Sequence, residues 1–267
     1  MMENIQINWD NFVNSVLARW QFSFTISELR EEFHLSDAVL NQGLYRLAQK
    51  KKIKKIRKGF YAVLPPTYQQ FGYLPLYSYI DNLMKSLGKP YYVSLLTAAQ
   101  LHGAAHQKPM VEFVTTTYPV PRSIINKQMK LYFVGKKQLL TDGIVEKKGE
   151  GGYFNVSSPE LTAFDLLDQI RRFGLNHITT VLQELHEVMA VSALKKIAIQ
   201  NNNISNIQRL GYILENFCEN QKLADVLSKI LEKRDCFPVP LSPLKGSSGK
   251  IDKKWQIIIN TEIDPDL

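Results

Sequence analysis

Two cysteines, Cys218 and Cys236, are the only thiols in 267 residues, too few for a disulfide framework. Their scarcity fits a reducing compartment, with both thiols free and buried. No stretch approaches about 20 continuous apolar residues, so a transmembrane helix is not expected. The opening MMENIQINWDNF lacks the basic flank and apolar run of a signal peptide, and a cytoplasmic protein is expected. Motifs that carry chemistry are missing as well. There is no Gly-rich phosphate loop, GxSxG elbow, CxxC pair or Ser-His-Asp constellation. The Gly-rich GEGGYF (149–154) opens a strand and has no following lysine, so it reads as a hairpin turn.

One absence points the other way. From Arg46 to Lys58 there is no acidic residue, yet eight of the thirteen are Lys or Arg. Over the whole chain 33 basic residues face 25 acidic ones, a net charge of +8. Residues 1–70 hold ten basic against six acidic residues and therefore carry half of that excess in about a quarter of the length. A charge so concentrated favours a polyanion as partner at this end.

The segment around it reads as three helices and a basic hairpin. Phe12, Val13, Val16, Leu17 and Trp20 recur at helical spacing. Thr25-Ile26-Ser27-Glu28 is a capping box that opens a short second helix, with Ile26, Leu29 and Phe33 inward. Ser36 caps a third helix running to about Lys50. Leu40, Leu44 and Leu47 form its buried stripe, which leaves Ala38, Asn41, Gln42, Tyr45, Arg46 and Gln49 on the opposite face. These are side chains that reach base edges or phosphates, with Ala38 small enough for close approach. Gly43 suits a tight crossing against the second helix, or close approach to a ligand. Ile53 and Ile56 then flank Lys54, Lys55 and Arg57, Lys58-Gly59 turns the chain, and Phe60–Leu64 returns until Pro65-Pro66 stops it. Three helices followed by such a hairpin predict a winged helix-turn-helix that binds double-stranded DNA. Its helix three reads the groove, and Lys50, Lys52, Lys54, Lys55, Arg57 and Lys58 hold phosphates. A solubilising surface and polybasic membrane association are the competing readings of the same lysines.

The proline-rich LPPTYQQFGYLPLYSY (64–79) separates this domain, 1–70, from a larger one, 71–267. There a helix over 77–87 and a strand-helix pair over 91–103, capped by Ser94, precede strands at 110–116, 129–135, 143–149 and 152–158. Helices follow at 160–173, 176–187, 190–201, 203–219 and 222–234, with a last strand at 255–260. The fold class is α+β: a winged helix-turn-helix, then a larger mixed α/β domain with a C-terminal helical region.

Candidate chemistry in that domain is thin. His102 and His106 are four apart, a metal-ligand spacing on a helix, but Gly103 ends the helix between them and His102 reads as packing or capping. Asp165 and Asp168 suit a carboxylate pair or a face salt-bridged to Arg171 and Arg172. Cys218, beside Phe217, reads as a buried thiol. Lys136-Lys137-Gln138, Lys147-Lys148, Arg171-Arg172 and Lys195-Lys196 are exposed basic candidates. No catalytic residue, metal or cofactor is assigned.

The chain resembles the AbiEi-type antitoxins of bacterial type IV toxin–antitoxin systems. The resemblance is carried by RKGFYAVLPPTY, YYVSLLTAAQLHG, NVSSPELTAFDLLDQI, NISNIQRLGYILEN and KKWQIIINTEIDPDL, in that order. It implies a cytoplasmic autorepressor that binds inverted-repeat operator DNA, serves in phage defence, and counters a nucleotidyltransferase-like toxin without a stable complex. The lack of an apolar dimer helix suggests a monomer in solution that pairs on DNA. The competing expectation is a nucleic-acid-processing enzyme delivered to its substrate by the winged helix.

Overall fold

The computed structural model describes residues 8–104 and 111–264. These pack as two compact units, one drawn from Met1–Tyr91, Val120–Tyr132 and Glu146–Asn155, the other from Tyr92–Pro119, Phe133–Val145 and Val156–Leu267.

The first unit begins with α1 (Trp9–Ala18), whose N-terminal amides at Asp10 and Asn11 are capped by the Asn8 side chain. Trp20 lies beyond the end of this helix at φ 57° and is 74% exposed, so it is not part of the helical stripe. A short strand, β1 (Ser23–Thr25), comes next, and Thr25 then caps α2 (Ile26–Phe33) through the full reciprocal box with Glu28. His34 ends α2 in the left-handed conformation, and Ser36 caps α3 (Asp37–Gln49) by accepting from Val39 N. Strands β2 (Ile53–Arg57) and β3 (Phe60–Val63) form an antiparallel hairpin, turned at Gly59 with φ +79°. The sheet order is β1-β3-β2.

Ile53 and Ile56 are both buried although three apart, which a strict two-residue period forbids. A register shift between Lys55 and Arg57 reconciles them. The core joins Phe12, Val13 and Val16 of α1 to Leu29, to Leu40, Leu44 and Leu47, and to Phe24 and Tyr61 of the sheet. Phe24 and Tyr61 stack at 5.5 Å, and Phe12 meets Phe24 edge-on at 5.1 Å. Gly43 is buried under the indole of Trp9, so the close crossing it permits is against α1 rather than the second helix.

After α4 (Pro66–Gln69), the expected helix over 77–87 starts as a 3₁₀ turn at Leu76–Ser78 and becomes α5 at Ile80–Ser86. Then follow β4 (Tyr91–Val93), α6 (Leu95–Leu101), β5 (Glu112–Thr117), β6 (Ile124–Ile125), β7 (Lys130–Lys136), β8 (Ile144–Gly149) and β9 (Gly152–Ser157). Their sheet runs β6-β7-β5-β4-β9-β8. Ser94 precedes α6, but its hydroxyl accepts from Thr115 at 2.8 Å instead of capping the helix.

The expected helix over 160–173 breaks at Gln169 into α7 (Pro159–Asp168) and α8 (Ile170–Phe173). Every residue of α7 from Glu160 to Leu167 is buried, which marks it as the central helix of the second unit. Helices α9 (Leu175–Leu185), α10 (Val191–Gln200), α11 (Ile204–Asn216) and α12 (Gln221–Leu231) follow. The last strand does not stand alone. Strands β10 (Val239–Pro240), β11 (Lys250–Asp252) and β12 (Ile257–Ile259) make a separate small sheet in the order β10-β12-β11.

The segment NISNIQRLGYILEN builds the tie between that sheet and α11. The Gln208 amide donates to the carbonyls of Phe237, Trp255 and Gln256 at 3.0–3.2 Å. Arg209 donates to the Pro240 carbonyl at 3.0 and 3.1 Å, and Gly211 leaves room for the buried Trp255 ring. The architecture is α+β.

Candidate nucleic-acid interface

Helix α3 is anchored by its leucine stripe, and its remaining surface is open. Ala38, Asn41, Gln42, Tyr45, Arg46 and Gln49 are all exposed, Tyr45 to 65%. Val39, 44% exposed, joins them at the N-terminal end of the helix, and Lys51 at the other end. Sequence reasoning left out both. Val39 is apolar and lies outside the Leu40-Leu44-Leu47 stripe, and Lys51 takes its direction from a left-handed backbone at φ 55°. Apart from Arg46 and the terminal Lys51, this face is uncharged and polar with one aromatic and two small apolar side chains, a composition suited to base edges in a major groove.

The basic residues that follow do not all have the same freedom. Lys50 Nζ lies 3.4 Å from Asp10 Oδ2, and Lys52 Nζ lies 3.1 Å from Asp10 Oδ1. The hydrogen bond from Lys52, joined by that from Lys50, holds the Asp10 carboxyl below its ordinary value. Lys54 donates to the Gln128 side chain at 3.0 Å. Arg57 is half-buried, and its Nη1 has no hydrogen-bond partner among the described residues. Lys55 and Lys58 are exposed. Arg46, Lys51, Lys55 and Lys58 can therefore meet a phosphate without giving up an ion pair recorded among the described residues, whereas Lys50 and Lys52 would have to leave Asp10.

The other candidates resolve into packing. A His102 ring nitrogen lies 2.6 Å from the Ser157 carbonyl oxygen, and His106 lies outside the described residues. Among the described residues no cluster of three or more His, Cys, Asp or Glu is set to hold a metal ion. Asp165 is only 2% exposed, and Arg171 and Arg172 lie beyond the break at Gln169, on α8. Asp165 is bonded instead by Lys136, whose Nζ also lies 3.4 Å from Asp168 Oδ2. Asp168 in turn accepts from Asn206 at 2.7 Å.

Burial raises the Asp165 carboxyl, and the Lys136 ammonium pulls it back. Lys136 is thus part of a buried polar node rather than an exposed surface charge, while Lys137 and Gln138 beside it are exposed. Arg172 packs its guanidinium 4.7 Å over the Phe113 ring. Burial pushes the Cys218 thiol up to about 12, so it stays protonated near neutral pH.

Residues 92–216 match the family model of the AbiEi antitoxin C-terminal domain. The chain carries an AbiEi-type antitoxin domain. That match supports an antitoxin role, and the matched stretch contains the Lys136–Asp165 node and all of α11, including Gln208, Arg209 and Gly211. The fold as a whole is similar to the crystal structure of the RV2827C protein from Mycobacterium tuberculosis, with a TM-score of 0.65 and 14% identity. The alignment covers 94% of this chain and 91% of that one. At that identity the likeness is one of fold alone. No curated protein matches the sequence. Among the described residues no helix is long and apolar enough to cross a membrane.

Proposed function

We propose that this AbiEi-type antitoxin is also a transcriptional autorepressor, whose residues 1–70 act as a winged helix-turn-helix on operator DNA. One observation carries the reading: the exposed polar face of α3 lies next in the chain to an acid-free basic hairpin. In this role α3 enters the major groove, with Asn41, Gln42 and Arg46 toward base edges. Lys55 and Lys58 on the hairpin hold the flanking backbone, and Lys50, Lys52, Lys54 and Arg57 add to it as their internal contacts allow. The protein acts in the cytoplasm as a monomer that pairs on an inverted repeat, one α3 per half-site. Residues 71–267 counter a nucleotidyltransferase-like toxin without forming a stable complex, in a system serving phage defence.

The test has two arms. The chain is co-expressed with the nucleotidyltransferase-like toxin encoded beside it, and separately with a reporter driven by its own upstream region. Growth is expected to recover and the reporter to fall silent. A Gln42→Ala/Arg46→Ala variant should still restore growth but release the reporter. Repression that survives that variant would refute the role of α3, and failure to restore growth would refute the antitoxin arm.

A further inference from the structure

The sequence contains a second acid-free basic stretch that the winged-helix reading does not use. Between Glu112 and Asp142 there is no acidic residue, and Arg122, Lys127, Lys130, Lys136 and Lys137 are all basic. Lys136 is taken up by Asp165. Arg122, Lys127 and Lys130 belong to the β6–β7 hairpin, in the same compact unit as α3 and the basic hairpin.

This hairpin tip is built rather than loose. Ile124 pairs with Leu131 on the buried side, and Ile125 pairs with Lys130 on the exposed side. Asn126 closes the turn: its Oδ1 accepts from Gln128 N and Met129 N at 3.0 Å each, and its own N donates to the Met129 carbonyl at 2.9 Å. The Tyr79 hydroxyl donates to Met129 Sδ at 2.8 Å and anchors the tip from below. Gln128 then reaches the DNA-side hairpin directly, accepting from Lys54 Nζ at 3.0 Å.

Consecutive Cα atoms lie 3.8 Å apart, so Lys127, immediately before Gln128, lies close to it and Lys130 stands two residues beyond. Lys127, Lys130 and Arg122 are exposed, and none has an ion pair recorded among the described residues. The Lys54–Gln128 hydrogen bond thus ties the basic β6–β7 tip to strand β2 of the basic hairpin, at the end away from its Gly59 turn, and the two basic segments share one surface. Such a surface repels itself unless a polyanion lies along it.

We propose that the β6–β7 tip is a second DNA-contacting element, with Lys127 and Lys130 holding duplex phosphates beyond those reached by the β2–β3 hairpin. The inference rests on the DNA-binding reading above and extends its footprint. Because these are backbone contacts, they act alike on every sequence.

The test is the salt dependence of binding to a duplex from the chain's own upstream region and to a scrambled duplex. It compares wild type with K127A/K130A and with Lys55→Ala. Losing two phosphate contacts should make the log–log salt slope shallower by about 1.8, on both duplexes. The loss of affinity between 50 and 200 mM salt should accordingly become about twelvefold smaller. An unchanged slope for K127A/K130A, with a slope shallower by about 0.9 for Lys55→Ala, would overturn this inference and leave the DNA-binding reading standing. No binding of either duplex by wild type would remove both.

Discussion

Replacing Lys136 by Met asks whether Asp165 is a structural partner or a carboxylate held in reserve for chemistry. Asp165 is 2% exposed, Lys136 is 23% exposed, and they are bonded directly. Removing the ammonium leaves a buried carboxylate whose remaining neighbours include the like-charged Asp168, which raises it further. Breaking a buried pair from one side typically costs about 3–5 kcal/mol. For a unit of this size that corresponds to a fall in melting temperature of about 6–20 °C, at about 2–4 °C per kcal/mol.

The pH dependence has a definite sign. The folded-state value of Asp165 is raised above its unfolded one, so the contribution favours the folded state below the ordinary carboxylate range and is lost as pH rises through the folded value. Without Lys136 the folded value rises further. The deficit of Lys136→Met should then be largest near neutral pH and shrink toward pH values below the ordinary carboxylate range. Lys136→Met/Asp165→Leu should regain most of the loss, since an apolar pair of similar volume often substitutes for a buried ion pair. The assay is thermal unfolding followed by circular dichroism across that pH range. A melting temperature unchanged by Lys136→Met, or a deficit that grows on acidification, would refute the pairing. So would a double variant less stable than the single one.

Three further outcomes are expected. Gly43→Ala places a methyl group in the Trp9 ring, so overpacking of about 1–3 kcal/mol should outweigh a helix-propensity gain of about 1 kcal/mol; the net loss would be read by urea unfolding. Asp10→Asn removes the anion that pairs with Lys50 and Lys52, so DNA binding should tighten and its salt dependence steepen, as anisotropy titrations would record. Gln42→Ala should weaken the operator by about 1–3 kcal/mol for a lost bidentate base contact while leaving scrambled DNA unaffected, in a competition assay with both duplexes.

What the sequence disclosed was local. The Thr25–Glu28 box, the Ser36 cap and the Leu40-Leu44-Leu47 stripe lie within one helix or its first turn, so spacing alone located them. The features that spacing missed depend on distant partners. Strand β1 has three residues and exists because Ser23–Thr25 pairs with Phe60–Ala62. Strands β10 and β11 are as short, and each depends on pairing with β12.

Charge misled in the same way. Lys136 looked like a solvent-facing cation, but its acid is Asp165, and Lys50 and Lys52 have a partner in Asp10, in each case far along the chain. Gly43 announced a close approach, but Trp9 as the neighbour could be identified only in three dimensions.

The most direct test of the central claim is fluorescence anisotropy at physiological salt. It titrates wild type and Gln42→Ala/Arg46→Ala onto DNA from immediately upstream of the chain's own gene and onto a scrambled duplex. The account predicts that wild type prefers the upstream DNA and that the variant binds both duplexes equally, with its salt slope reduced by no more than about 0.9, the effect of one cation fewer beside the duplex. Equal binding of both duplexes by wild type, erased by salt, would contradict it and leave the basic residues as an unspecific surface.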